Sequence, residues 1–253
     1  MVDARRFIDI YEKYYFYEKY DISKSLGIKG FKTTHEYNEK YIMDKLRKGI
    51  HDQDIIAWKL GSFEKGQVKS DQIKGNCFFD MSVYLNQIEK NRKEIDVKIN
   101  AIKEIDQCVD LFENTKSLAE VFDLLKSYRD TDEKSNNKKF GTVYIINSMF
   151  FLSKGAIPIY DKNVYKAVQA LYLEKNPREI EYIPAPSAKN GMDAMFRLVE
   201  YMWLLDKVFG ESKTEKSVYF EDYEQVGYIS RGLDRALWVY GQCKTECDKE
   251  MYG

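Results

Sequence analysis

Histidine, cysteine and proline are scarce in this chain, and each scarcity removes a class of explanation. Two histidines, His35 and His51, and four cysteines, Cys77, Cys108, Cys243 and Cys247, stand in 253 residues. That is too few and too scattered for a histidine-based triad or a secreted disulfide framework. Cys243 and Cys247 lie one helical turn apart and could pair two metal ligands. No second clear pair accompanies them, so free or buried thiols are the simpler reading. Walker loop, dinucleotide fingerprint, HExxH and GxSxG are all missing. The longest apolar stretch, about Val143 to Leu152, contains Asn147 and Ser148 and is too short to span a bilayer. The opening MVDARRFIDIYEKYYFYEKY is charged throughout and holds no signal-peptide core. The expectation is a soluble, cytoplasmic protein without a membrane partner, a metal or a cofactor.

Net charge is also close to absent. The formal value is −1, whereas a protein that coats nucleic acid is usually basic. Any such role must rest on a local patch. The window from Lys138 to Lys166 holds Lys138, Lys139, Lys154, Lys162 and Lys166 against the single acid Asp161. Concentrated lysines of this kind can attract phosphates, but from charge alone a solvated helix face is the simpler reading.

What is abundant is helix-forming. The four prolines sit between Pro158 and Pro186, and hydrophobic and charged residues make up 44% and 32% of the chain, a globular balance. Twenty tyrosines and 14 phenylalanines suit wet clefts as well as cores. Residues 4–20 predict a helix with Phe7, Tyr11, Tyr14 and Tyr15 along one stripe. Thr34 is placed to cap a second helix and Asp52 or Asp54 a third, ended by Gly61. Residues 62–75 read as loop. One or two helices follow between Cys77 and Ile105, with Leu85, Ile88, Ile95 and Ile99 as the repeating apolar positions. Ser117 and Glu120 form a capping-box pattern ahead of a further helix. An apolar helix covers about Phe140 to Leu152, and another begins at Asp161. Residues 174–190 read as a connecting loop. A helix spans Gly191 to Val208, and a last one runs from Glu221 or Ser230 to Glu250. The fold class expected is all-α.

The segment KKFGTVYIINSMFFLSKGAIPIYDKNVYKAV, from Lys138 to Val168, carries the most information. It places Pro158 three residues before Asp161, at a helix start. By itself an aspartate there is a cap for orphan N–H groups. Together with the apolar helix and Gly155 turn before it, the segment resembles the helix-hairpin-helix DNA glycosylases. In that superfamily a Pro-x-x-Asp or Pro-x-Asp turn sets a carboxylate in a cleft between two helical lobes. The likeness is clearest over about 30 residues; elsewhere it is an ordering of helices.

The resemblance implies an 8-oxoguanine-type base-excision enzyme acting on duplex DNA with a damaged or modified base. It would be one unit of two lobes, residues 1–38 with 157–253 and residues 39–156. Asp161 would be the catalytic carboxylate and Lys139 the Schiff-base nucleophile, with Lys138, Lys154 and Lys162 on the DNA. An archaeal branch of these enzymes holds the flipped base with a carboxylate and a tryptophan one turn apart in a late helix. Asp234 and Trp238 stand at that spacing, and Trp58 sits where the second stacking tryptophan belongs. The alternative is that both tryptophans are core residues and that Asp234 pairs with Arg231 or Arg235.

The chain departs from the family at the hairpin. Where the family reads Leu-Pro-Gly-Val-Gly-x-Lys, this sequence has Ser-Asn-Asn-Lys-Lys-Phe-Gly-Thr, and the usual count back from Asp161 lands near Thr142. The remodelled hairpin is what a second expectation rests on: a non-catalytic module binding nucleic acid or protein on the same helical frame.

Overall fold

A computed structural model describes residues 1–15, 63–64, 67–68, 82–103, 111–131, 141–181, 191–217 and 227–242. Among these the architecture is all-α apart from one small ladder. The elements are α1 (Ala4–Tyr11), a 3₁₀ turn (Glu12–Tyr14), β1 (Phe63–Glu64), β2 (Gln67–Val68), α2 (Ser82–Lys90), α3 (Arg92–Lys103), α4 (Leu111–Asp130), α5 (Thr142–Leu152), α6 (Lys162–Tyr172), a 3₁₀ turn (Pro177–Glu179), α7 (Gly191–Phe209), a 3₁₀ turn (Gly210–Thr214) and α8 (Arg231–Gln242). None of the described helices is long and apolar enough to cross a membrane.

Several boundaries differ from the sequence reading for local reasons. The first helix stops at Tyr11 and tightens to 3₁₀ geometry. Asp3 caps it, its side chain accepting from Arg6 N–H. Ser117 does not begin a helix. It lies inside α4, which starts at Leu111, so the capping-box pattern is outvoted by continuous burial of Leu118, Val121, Phe122 and Leu125 on one face. Residues 62–75 are not wholly loop, since Phe63 pairs with Val68 and Glu64 with Gln67 in an antiparallel ladder. The helices expected after Thr34 and at 54–61 lie outside the described residues, as do all four cysteines and both histidines.

α6 packs most extensively on α8, α7 on α4, and α1 on α8. Their buried faces merge into one hydrophobic cluster that runs from Ala4 and Phe7 through Ile88, Ile99 and Phe122 to Val168, Leu198 and Leu237. It joins helices from both of the segments read as lobes.

Two close approaches fix α8. A Cβ on Gly241 would fall 2.0 Å from the Asn163 carbonyl oxygen, so only glycine lets α8 touch the first turn of α6. At the other end Arg235, fully buried, donates from Nε (2.6 Å) and Nη2 (2.5 Å) to Glu12 Oε1. Glu12 is also fully buried, and Ser217 Oγ donates to its Oε2.

Removing one member of such a pair strands the other charge in the interior, at a cost of about 3–5 kcal/mol. Urea unfolding of Glu12→Ala should therefore show a loss of that size. A change below about 1 kcal/mol, the usual worth of an exposed pair, would mean that Arg235 reaches water.

Candidate functional site

The candidate site is built where α5 hands over to α6. α5 is apolar on nearly every side and is buried from Ile145 to Leu152. Ser153 ends it, donating from Oγ to the Phe150 carbonyl (3.1 Å) while accepting from Ile157 N–H (3.0 Å). Lys154 and Gly155 then reverse the chain at φ of 54° and 86°, a left-handed turn that glycine takes without strain. Tyr228 N–H donates to the Gly155 carbonyl (2.9 Å). A Cβ on Gly227 would lie 2.1 Å from that same oxygen, so the turn is clamped to the segment leading into α8.

Ile157, Pro158, Ile159 and Tyr160 follow as a buried run. Asp161 then adopts extended backbone (φ −138°, ψ 169°) and caps α6. Its Oδ1 accepts from Asn163 N–H (2.7 Å) and Val164 N–H (3.1 Å). The cap is the role that the residue type and position dictate. Both bonds fall on Oδ1, so Oδ2 takes no part in the cap. The carboxylate is half-buried, while Lys154 and Lys162 on either side of it are exposed.

α8 supplies the other described candidates. Ser230 caps it, its Oγ accepting from Leu233 N–H (3.0 Å). Asp234 is buried and forms an ion pair with Arg231 through Oδ2. The pairing with Arg231 was one of the two alternatives read from the sequence. Asp234 Oδ1 is buried without a hydrogen-bond partner. Trp238, one turn on, is half-buried and meets Tyr15 edge-on at 5.2 Å. Trp58, Lys138 and Lys139 lie outside the described residues.

Asp161 and Arg231 both act electrostatically on a residue that the sequence did not single out. Tyr201, in the middle of α7, is fully buried, and its hydroxyl has no hydrogen-bond partner. Burial pushes its pKa well up, and the charge of Asp161 and the Tyr160 and Tyr228 phenols push it further; Arg231 opposes them. Tyr160 stacks edge-on against Tyr201 at 5.8 Å and lies 5.6 Å from the Tyr165 ring. It too is held neutral, first by burial. A tyrosine hydroxyl inside an apolar stripe is the signal that was available, because a buried phenol ordinarily needs a partner.

Beside this cluster Tyr165 donates to Glu200 Oε2 (2.8 Å), which also accepts from Arg197 Nη1 (2.6 Å). On the far side Tyr228 donates to Asp206 Oδ2 (2.6 Å), and Lys213 pairs with the other oxygen of Asp206. The chemistry on offer is a capped carboxylate at a helix N-terminus, neutral phenols and a second, paired carboxylate. Among the described residues no group of three or more His, Cys, Asp or Glu is disposed to hold a metal ion. Comparison with protein-family models, with curated proteins and with solved structures finds no match.

Burial, followed by the hydrogen bond to Glu200, pushes Tyr165 up to about 12 from an ordinary 10.0. A phenol raised in the folded state contributes stability that is fully present below the unfolded value. That contribution fades as pH rises from 10.0 toward about 12. The difference spectrum of Tyr165→Phe against the parent should show this phenol ionising about two pH units late. Ionisation near 10.0 would mean that the phenol is neither buried nor held by Glu200.

Proposed function

We propose that the chain is a DNA N-glycosylase that excises a damaged or modified base of the 8-oxoguanine kind. The reading rests on the resemblance of the Lys138 to Val168 segment. The observation that supports it is the state of Asp161, whose carboxylate is fixed as the α6 cap through Oδ1 while Oδ2 remains outside the cap. Cleavage of an N-glycosidic bond builds positive charge on the sugar as the base departs with the bonding electrons. A preorganised carboxylate stabilises that charge. It can also take a proton from the water that closes the sugar carbon.

In this proposal Lys139 is the nucleophile of a lyase step, attacking the sugar carbon as a neutral amine. Lys138, Lys154 and Lys162 contact phosphates. Trp58 and Trp238 stack on the extruded base, and Asp234 accepts from its edge. The two-lobed arrangement with a cleft, and a cytoplasmic location, belong to the same proposal.

A second reading, a non-catalytic module for nucleic acid or protein on the same frame, is favoured by two observations. Asp234 already spends one oxygen on Arg231, and the sequence SNNKKFGT ahead of α5 lacks the phosphate-gripping motif of the glycosylases it resembles.

The two readings separate on duplex DNA carrying 8-oxoguanine. The parent should release the base, and Asp161→Asn should lower the single-turnover rate by about 10²–10³. Asparagine keeps the cap, so folding is not the cause. Borohydride should trap a covalent complex that disappears in Lys139→Ala. Absence of both base release and trapping, with Asp161→Asn binding DNA like the parent, selects the binding module.

A further inference from the structure

Tyr201 combines two properties that conflict. It sits in the middle of α7 with no exposed surface, and its hydroxyl has no hydrogen-bond partner in the protein. In the unfolded chain that hydroxyl bonds to solvent, so burying it bare is costly. A buried polar group left over by the protein is ordinarily satisfied by an ordered water, which needs at least one further polar partner of its own.

The groups whose charge acts on the Tyr201 hydroxyl narrow the choice of that partner. They include Asp161, Tyr160, Tyr228 and Arg231, with Asp161 the strongest of these four. Arg231 can only donate, and it is paired with Asp234. Tyr228 donates to Asp206 Oδ2 (2.6 Å), and its hydroxyl also lies 3.1 Å from the Met202 carbonyl. Tyr160 is a neutral phenol, packed edge-on against the Tyr201 ring at 5.8 Å. Asp161 follows Tyr160 directly in the chain and is the one carboxylate of the four. Both cap bonds, from Asn163 and Val164, fall on its Oδ1, which leaves Oδ2 as an acceptor. A charged oxygen is also the strongest acceptor on offer to a phenol. The two groups share no direct bond, which is the situation that a bridging water resolves.

We infer that one ordered water bridges the Tyr201 hydroxyl and Asp161 Oδ2, and that Tyr201 is thereby the positioning residue of that carboxylate. The phenol donates to the water, and the water donates to Oδ2. Asp161 is then held at both oxygens, Oδ1 by amides of α6 and Oδ2 through α7, and its carboxylate plane is fixed. Burial and the charge of Asp161 keep the phenol in its protonated, donating form. The catalytic consequence rests on the glycosylase reading: a carboxylate fixed before the base departs stabilises the sugar cation without reorganising. The bridge itself does not depend on that reading.

A double-mutant cycle on the full chain tests the bridge. Asp161→Ser keeps an oxygen for the cap and removes Oδ2, while Tyr201→Phe removes only the hydroxyl. Tyr201→Phe should lower the urea midpoint of the parent, yet leave the midpoint unchanged or raised in the Asp161→Ser background. A midpoint that holds or rises in the parent overturns the inference, because the hydroxyl then had no bond to lose. An equal fall in both backgrounds overturns it too, by placing the partner elsewhere. On duplex DNA carrying 8-oxoguanine, Tyr201→Phe should slow single-turnover base release about tenfold, the rate equivalent of one hydrogen bond. DNA affinity should stay unchanged, and Asp161→Ser should suffer no further loss from Tyr201→Phe. An unchanged rate, or losses that add, would overturn the positioning role. If the parent releases no base, the glycosylase reading fails and the stability cycle alone decides the bridge.

Discussion

The position of α8 depends on a buried charge. Arg235 and Glu12 are both inaccessible to water and joined by short bonds from Nε and Nη2 to one carboxylate oxygen, with Ser217 on the other. Taking two charges out of water is costly, and the attraction between them offsets that cost only with this degree of hydrogen bonding. The pair therefore does more to specify an arrangement than to add stability. It ties the first turn after α1 to the last described helix, more than two hundred residues later in the chain. α8 then rests on α6 through Gly241 and Asn163 and is reached from the α5 turn through Tyr228 and Gly155. The cap at Asp161 inherits its place from these contacts.

Around that cap the structure trades satisfied hydrogen bonds for neutral phenols. Tyr160 and Tyr201 are buried against one another, and the Tyr201 hydroxyl has no partner. An unpaired buried polar group costs about 1–3 kcal/mol of desolvation. Besides burial, the charge of Asp161, at the head of α6, pushes the pKa of Tyr201 up and that of Arg231, at the head of α8, pulls it down.

Much of the helical frame was legible from periodicity. α6 and α7 begin within a residue of where capping and glycine signals put them, and Ile88, Ile95 and Ile99 are buried as their spacing requires. The aspartate end of the site was legible too, since an aspartate after Pro158 at the head of an apolar repeat can hardly avoid capping. Partners distant in sequence were not legible. Nothing local to Glu12 announces Arg235, and Tyr201 reads like any aromatic on an amphipathic helix until three elements surround it. Ser117 shows the opposite failure, a strong local signal overridden by burial on both sides of it. For Asp234 the sequence left two ion-pair partners open, and only the fold chose Arg231 while giving Arg235 to Glu12.

The central claim is that the α6–α8 junction receives a base from DNA. Hydrogen exchange measured with and without a duplex containing 8-oxoguanine tests it most directly. The account predicts that the Asn163 and Val164 amides, which donate to Asp161, and the first turns of α8 become more protected with the damaged duplex than with an undamaged one. Equal exchange in both, or protection confined to helices away from this junction, would contradict it.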